Sequence, residues 1–441
     1  MPHRMNSQSF SRRSLLRSAG QLAILSLLGG CTPAASMSSH SVLQPAASLK
    51  QAAAAAPPLA AIRPTLMMRS VSLAQKIGQM IATGFAGTTL TADSPIMQDI
   101  RTHHLGGIFL FARNVANKAQ MIALTAQLQA ESTIPLTIAI DHEGGLVRRM
   151  GATFGFTSNY TAQALGDMND LEITRGFGRE IAFALAEMGI NQNLAPVVDV
   201  NVNARNPVIG GIGRSFSADP EQVARHATAF IDAHHEAGVL CTLKHFPGHG
   251  SSTADSHAGF VDVTDTWSER ELIPFQELIE NGRSDAIMTA HIFNAHLDAE
   301  LPATLSKAVI TGLLRQKLGY DGVIMTDDLQ MGAIQRYYDL KTVVETALAA
   351  GVDVLSLSKY APRSIETIVR TIEELVDSGK VSEARIDESY RRILAMKARI
   401  GIPIEYEPLL EVAQQDQGGA DSFEQSSQRP DGEPALENYR Y

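Results

Sequence analysis

The segment from Lys244 to His257 carries the densest set of groups that can do chemistry. It reads K-H-F-P-G-H-G-S-S-T-A-D-S-H, and its glycines and proline predict a loop rather than a helix. At its start, Lys244 and His245 could bind the hydroxyl groups of a polar ligand. Near its end, the Asp255 carboxylate stands two residues from His257, where it can orient the imidazole and raise its basicity. This pattern predicts an acid–base dyad.

Two other interpretations of this loop stay open from the residues alone. Zinc binding is one, because His245, His249, His257 and Asp255 are all ligand types, although neither H-E-x-x-H nor another standard ligand spacing is present. A purely structural, hydrogen-bonded loop is the other, and it applies to His249 in particular.

A second candidate group follows the apolar run Val323–Met325. The sequence there continues as Thr326-Asp327-Asp328-Leu329, and a carboxylate at this point could act as a nucleophile. One of these acids could instead cap the next helix. The two aspartates could also divide these roles between them.

The elements that must position these groups are eight short apolar runs separated by helical stretches. Nearly continuous hydrophobicity in each run is typical of parallel strands that are covered on both faces. Eight βα units in about 330 residues predict an α/β fold, a single (β/α)8 TIM-type barrel over residues 71–402. An open doubly wound sheet is the competitor, but no G-x-G-x-x-G follows the first strand. The predicted strands are Ile77–Phe85, Gly107–Phe111, Leu136–Asp141, Asn193–Asp199, Val239–Lys244, Ala286–His291, Gly322–Asp327 and Val352–Leu357.

A barrel places its chemistry at the carboxyl ends of the strands, and polar residues cluster there in this sequence. Charges inside apolar runs are costly unless they are paired, so five such sets on one rim indicate an active site. The sets are Asp141-His142-Glu143, Asp199-Val200-Asn201, Lys244-His245, His291 and Asp327-Asp328.

Composition and charge exclude several other functions. The 441 residues include 37 Lys+Arg and 47 Asp+Glu, a net charge of −10, so no electrostatic binding of nucleic acid is expected. Hydrophobic residues make up 44%, which suits a globular chain, and no apolar run is long enough for a transmembrane helix. Two cysteines, Cys31 and Cys241, are too few for a disulfide framework. Cys241 lies in a predicted strand and is expected to be an ordinary buried thiol.

The first 31 residues have the pattern of an export signal. They contain four arginines and no acid; Ser11–Leu16 resembles a twin-arginine signal, and an apolar stretch follows at Leu22–Leu28. Leu28-Gly29-Gly30-Cys31 resembles a bacterial lipobox, in which a signal peptidase cuts before a cysteine that takes a lipid. We therefore expect export and a lipid anchor at Cys31 on the extracytoplasmic face of the cell envelope.

Both flanks of the barrel are predicted to be flexible. Residues 32–70 are rich in Ala, Ser and Pro and suit a tether between a lipid and a domain. Residues 403–441 contain nine acids and two arginines, which is typical of a disordered acidic tail. The folded unit is then the single barrel of residues 71–402, and we expect it to be a monomer.

Eight motifs in order along the chain resemble the bacterial β-N-acetylglucosaminidase branch of glycoside hydrolase family 3. Residues 244–257 are similar to that branch's usual K-H-F-P-G-H-G-D-T-x-x-D-S-H. The other seven motifs cover essentially all of residues 71–402. They begin at Gly106 (G-G-I-F-L-F-A-R-N), Asp141 (D-H-E-G-G), Ala195 (A-P-V-V-D-V-N), Asn206 (N-P-V-I-G), Arg214 (R-S-F), Met288 (M-T-A-H) and Pro302 (P-A-T-L-S).

The resemblance implies a retaining glycosidase that removes terminal β-linked GlcNAc from peptidoglycan or chitin fragments. Asp327 would be the nucleophile, and His257, held by Asp255, would be the general acid and then the base. A histidine, with an ordinary pKa of about 6.5, can serve both steps near neutral pH. Neither a metal nor an organic cofactor is implied. The residues that would hold the sugar are Asp141, Arg149, Arg214, Lys244 and His245.

Three departures from the family pattern put the preference for the leaving group in doubt. His142 and Leu146 stand where Gln and Arg are usual, and Ser251 replaces an aspartate. Three alternatives also stay open: a phosphorylase, because a histidine acid repels phosphate less than a carboxylate does; a β-glucosidase; and a catalytically silent lipoprotein that binds muropeptides.

Overall fold

A computed structural model describes residues 71–400 as one closed barrel of parallel strands. The strands pair in parallel from β7 through β1 to β8, and a parallel bridge between Met325 and Val354 joins the two ends. The predicted (β/α)8 barrel is therefore confirmed. Its strands are β1 Ile81–Gly84, β2 Gly107–Leu110, β3 Thr137–Ile140, β4 Gln192–Asn193, β5 Leu240–Phe246, β6 Ala286–Thr289, β7 Val323–Met325 and β8 Leu355–Leu357.

Helices connect the strands and surround the barrel. The α-helices are α1 Leu73–Gln79, α2 Pro95–His103, α3 Lys118–Glu131, α4 Ala162–Met168, α5 Leu171–Glu187, α6 Pro220–Glu236, α7 Ile273–Glu280, α8 Gly332–Gln335, α9 Leu340–Ala350, α10 Pro362–Asp377 and α11 Glu383–Ala398. A π-helix spans Ala308–Lys317 between β6 and β7. Short 3₁₀ turns lie at Ala112–Asn114, Ala152–Phe154, Gly210–Ile212, Glu269–Leu272 and Ala303–Leu305. In the described range, no helix is both long and apolar enough to cross a membrane.

Every predicted strand differs from the structure at one or both ends, and two differ most. The first was expected to begin at Ile77, but Ile77–Gln79 are the last residues of α1, which begins with a Ser72–Gln75 capping box. The fourth was expected over Asn193–Asp199, yet the regular strand is only Gln192–Asn193. Pro196 has no N–H to donate to a ladder, and the chain resumes parallel pairing only at the bridge between Val197 and Lys244.

The strand residues form the centre of the hydrophobic core, since every residue of the eight strands is buried. Cys241 in β5 is buried with a free thiol, as predicted. The export signal of residues 1–31 with Cys31, the tether 32–70 and the tail 403–441 lie outside the described residues. The predictions for these segments stay predictions.

The amino end of the barrel is closed around one buried lysine of α11. The Lys397 ammonium donates to Gln79 Oε1 at 2.6 Å and to the carbonyl oxygens of Gly106 at 2.8 Å and Pro135 at 2.7 Å. These acceptors immediately precede β1, β2 and β3. Polar groups at this end thus tie a helix to the strands, whereas those at the carboxyl end form the site described next.

Candidate active site

A chain of five charged side chains crosses the carboxyl end of the barrel. Lys244, two residues before the end of β5, donates to Asp141 Oδ1 at 2.8 Å and lies 2.7 Å from Glu143 Oε1. Arg149 binds the other oxygen of Asp141 at 3.0 Å. Arg214 makes a two-pronged contact with Glu143, at 2.8 and 2.7 Å. We call these residues the ion chain, and it contains four of the predicted sugar-binding residues.

The charges of the ion chain stabilise one another in a buried setting. Burial alone would raise the pKa of Asp141, but Lys244 and Arg149 hold it well below its usual range. Burial opposes ionisation of Glu143 in the same way, yet Arg214 and Lys244 lower its pKa. The pKa of Lys244 is raised by the two carboxylates against the effect of burial. Asp141, Glu143 and Lys244 are therefore charged at neutral pH, and with the two arginines the ion chain has three cationic and two anionic side chains.

The ion chain contains a buried donor that is not satisfied within the described residues. Arg149 Nε is buried and has no hydrogen-bond partner among the described residues. A buried donor without a partner is costly, so an oxygen-rich ligand that accepts from it would be favoured. A sugar hydroxyl or an acetamido carbonyl has that chemistry.

His245, the fifth predicted binding residue, is oriented by Asp199. Its Nδ1 lies 2.7 Å from Asp199 Oδ2, while Asp199 Oδ1 accepts the backbone N–H groups of His245 and His249 at 3.0 and 2.8 Å. A carboxylate only accepts hydrogen bonds, so Nδ1 carries a proton. Nε2 of His245 is thereby left to face other groups.

Asp327 lies two residues after the end of β7, where a nucleophile at the mouth of a barrel is expected. Burial would raise its pKa, but His291, His245 and the backbone N–H of Asp328 lower the pKa overall; that N–H lies 2.7 Å from Asp327 Oδ1. The adjacent Asp328 is used structurally, since its Oδ1 accepts the N–H groups of Gln330 and Ser358 at 3.0 and 2.9 Å. The two aspartates thus divide into one available carboxylate and one that fixes the turn.

The Asp255–His257 dyad forms as the spacing predicts. Asp255 Oδ1 lies 2.8 Å from His257 Nδ1 and also accepts the His257 backbone N–H at 2.8 Å. The pair is far more open than the ion chain, with side-chain exposures of 41% and 65%. No hydrogen bond joins the His257 and Asp327 side chains in the described part of the chain. The dyad is connected to the Asp327 strand by α8, where Gly332 N–H donates to His257 O at 3.2 Å.

His291 is a site residue to which the sequence predicted no role. Its Nε2 donates to the Asp328 carbonyl at 3.0 Å, and its Nδ1 lies 2.8 Å from Thr304 Oγ1. Burial lowers its pKa. Glu143 and Asp199 were likewise noted only as members of the polar rim. Their position after a predicted strand was the signal that the sequence offered. Their partners could not be read from it, because these depend on which strands lie next to each other in the barrel.

Glu271 is a further residue that the sequence did not single out, and it holds the backbone of the loop over residues 244–257. It is fully buried in the 3₁₀ turn before α7, and its Oε2 accepts the N–H groups of Gly250 and Ser251 at 2.9 and 3.2 Å. Glu271 Oε1 has no partner among the described residues. Burial raises the pKa of Glu271 to about 7. Glu271 does not follow a predicted strand, so the sequence carried no signal for it and its role became visible only in the fold.

The three departures from the family pattern occupy different settings. His142 is buried and stacks on Phe156 at 4.3 Å, and burial lowers its pKa to about 3, so it is neutral. Ser251 is one of the two residues held by Glu271. Leu146, in contrast, is exposed on the rim. The first two are thus part of the packing beneath the site.

The zinc interpretation of the loop has no ligand set in residues 71–400. His245 pairs with Asp199, His249 Nε2 lies 3.1 Å from Ser256 Oγ, and His257 pairs with Asp255. No group of three or more His, Cys, Asp or Glu side chains in that range is arranged to hold a metal ion. Each histidine has its own partner instead.

The mouth of the closed barrel thus brings together an available carboxylate, a histidine dyad and a cluster of cations. The family model described as glycosyl hydrolase family 3 N terminal domain matches residues 72–396. The chain belongs to glycosyl hydrolase family 3.

Relatives and solved structures agree with this assignment. The chain is 36% identical to beta-hexosaminidase A of Pseudoalteromonas piscicida over 71% of its own length and 56% of that protein. It is 39% identical to the beta-hexosaminidase of Tolumonas auensis over 60% of its own length and 78% of that protein. A family 3 β-N-acetylglucosaminidase from Paenibacillus sp. str. FPU-7 superposes with a TM-score of 0.71 at 39% identity, covering 77% of this chain and 64% of that one. The chain thus spans little more than half of the first relative.

We expect Glu271→Gln to change the pH dependence of stability. A carboxyl whose pKa is about 7 when folded and about 4.3 when unfolded binds more protons in the folded state between those values. The contribution of this carboxyl to the free energy of unfolding of the wild type therefore falls as pH rises through that window, and above pH 7 it is almost entirely lost. The Gln variant keeps the acceptor oxygen but does not titrate. Its stability relative to wild type should rise by about 3 kcal/mol between pH 4.5 and 8.

Urea denaturation at both pH values measures this difference. Glu269→Gln, an exposed glutamate in the same turn paired with Lys317, is the matched control and should follow the wild type. A difference between Glu271→Gln and wild type that does not vary with pH would contradict the assignment.

Proposed function

We propose that this protein is a retaining exo-β-N-acetylglucosaminidase that hydrolyses terminal β-linked GlcNAc from peptidoglycan or chitin fragments. The observation that carries the proposal is Asp327, an ionised carboxylate two residues after the end of β7 with cationic and imidazole groups around it. Family membership and the β-hexosaminidase names of the relatives support the reaction class.

In the proposed first step, the Asp327 carboxylate attacks the anomeric carbon while the glycosidic bond breaks. His257 gives its proton to the departing oxygen, and a covalent glycosyl-aspartate forms. In the second step, neutral His257 takes a proton from water, whose oxygen displaces Asp327 and restores the original configuration. His257 donates its Nδ1 proton to the Asp255 carboxylate, so that Nε2 is the atom that exchanges a proton with the substrate or water.

The ion chain and His245 are proposed to hold the GlcNAc residue. Asp141 can accept from sugar hydroxyls, and Arg149, Arg214 and Lys244 can donate to hydroxyl and acetamido oxygens. Because these groups are fixed by one another, they do not need to reorganise when the transition state forms. His257 is exposed and tethered by a loop, so it is proposed to reach the leaving oxygen when substrate is bound.

Substrate preference and acceptor are tested together with nitrophenyl β-GlcNAc and nitrophenyl β-glucose, each with and without phosphate. We expect the full-length protein to turn over the GlcNAc glycoside at least about a hundredfold faster, independently of phosphate, since only the acetamido sugar uses all the donors. Glucose preference would contradict the proposed specificity. Strict phosphate dependence would favour the phosphorylase, and binding without turnover the silent muropeptide-binding lipoprotein.

The role of His257 is resolved with the same substrates. His257→Ala should lose more activity on methyl β-GlcNAc than on nitrophenyl β-GlcNAc, because a good leaving group needs no proton. His249→Ala is the matched control, since His249 bonds to Ser256 and is given no proton-transfer role. Equal losses on the two glycosides in His257→Ala would count against its role as the acid.

We also propose export, by the twin-arginine route, and a lipid anchor at Cys31 that places a monomeric enzyme on the extracytoplasmic face of the envelope. The support is the order of arginine pair, apolar stretch, Gly29-Gly30 and cysteine in the sequence. Cells grown with labelled fatty acid should yield labelled protein in the membrane fraction, and Cys31→Ser should abolish the label. Cys241→Ser, which changes a buried thiol, should keep it. An unlabelled wild type would refute the anchor.

A further inference from the structure

Three aromatic side chains from consecutive loops form a patch on the carboxyl rim of the barrel. Phe260 follows β5, Phe293 follows β6 and Tyr337 follows β7. The Phe260 ring centroid lies 5.4 Å from that of Phe293 and 6.1 Å from that of Tyr337. Phe260 is 49% and Tyr337 57% exposed. We call these three residues the aromatic patch.

The backbone holds the aromatic patch in place. The Phe293 N–H donates to Val261 O at 2.8 Å, and the Val263 N–H donates to Phe293 O at 2.9 Å. This short parallel pairing joins the loop after β5 to the loop after β6. Tyr337 comes two residues after the end of α8, whose N–H groups at Gly332 and Ala333 donate to His257 O and Ser256 O, each at 3.2 Å. The rings are therefore attached to a braced part of the rim.

The position of the aromatic patch relates it to the leaving group. Phe260 is three residues from His257, in the loop that carries the proposed acid, and Tyr337 lies on the segment that continues from Asp327 through α8. The acid must contact the glycosidic oxygen, to which the leaving group is attached. A surface that borders the acid is consequently next to the leaving group, whereas the ion chain is proposed to hold the sugar on the other side of the bond.

We propose that the aromatic patch binds the sugar ring that leaves, through contact of its apolar C–H face with the exposed rings of Phe260 and Tyr337. Exposed aromatic rings beside a polar site are typical of ligand-binding surfaces. Covering them with the C–H face of a pyranose removes apolar area from water, while the sugar hydroxyls stay at the solvent edge. The rings of Phe260 and Tyr337 meet edge to face, with their centroids 6.1 Å apart, so they form one continuous apolar surface. This inference rests on the proposed glycosidase function and extends it to the leaving-group side.

The test compares two substrates that carry the same GlcNAc residue but differ in the leaving group. Chitobiose releases a sugar and methyl β-GlcNAc releases methanol, and both leaving oxygens need a proton. In Phe260→Ala and in Tyr337→Ala, the ratio of kcat/KM for chitobiose to that for methyl β-GlcNAc should fall roughly fivefold. Tyr337→Phe keeps the ring and should preserve the ratio. Phe183→Ala, which removes an aromatic ring of equal exposure, 49%, from α5, is the matched control and should also preserve it.

The ratio is not affected by general damage to the catalytic loop, because such damage lowers kcat/KM for both substrates by the same factor. Equal losses on the two substrates in the patch variants, or an unchanged preference for chitobiose, would overturn the assignment. The same fall in Phe183→Ala would overturn it too. A wild type that hydrolyses neither glycoside would instead refute the proposed function, and the leaving-group surface with it.

Discussion

The Lys244 ammonium is the contact on which the rest of the site depends. It emerges buried from β5 and lies within 2.8 Å of both Asp141 and Glu143, which follow β3. Each carboxylate is in turn held by an arginine, from Arg149 and Arg214. Taking five charges out of water is costly, and removal of one member leaves its partner uncompensated. The barrel tolerates this arrangement because each of the two carboxylates of the ion chain meets two cations.

A division of labour between rigid and accessible groups follows from that constraint. The ion chain and the Asp199–His245 pair are buried and mutually fixed, which suits binding of one polar sugar. The neighbouring Asp328 accepts the backbone hydrogen bonds that fix the turn, which leaves the Asp327 carboxylate available. The Asp255–His257 dyad remains exposed on its own loop, and Glu271 anchors the start of that loop. The dyad, to which we propose that proton transfer belongs, is thus the most accessible part of the site.

Much of this fold can be predicted from the sequence, because buried parallel strands appear as short apolar runs and a barrel places polar residues after them. The errors have local physical causes. Ile77–Phe85 is one apolar run, but a Ser72 capping box makes its first part a helix, and Pro196 shortens β4. The dyad is predictable because its members are two residues apart. The partners of Lys244 and His245 could not be predicted, because Asp141 and Asp199 come close to them only once the strands have taken their places in the barrel. Glu271 could not be predicted either, since it contacts the loop from a turn before α7.

The account requires a covalent bond between Asp327 and the sugar, and mass spectrometry of a trapped intermediate tests this directly. A fluorinated β-N-acetylglucosaminyl fluoride, whose fluorine atom on the ring slows the second step, should add one fluorinated GlcNAc to the peptide that contains Asp327. Asp328→Asn should still acquire this label, whereas Asp327→Asn should not. Absence of any adduct during turnover, or its location on Asp141 or Glu143, would contradict the account.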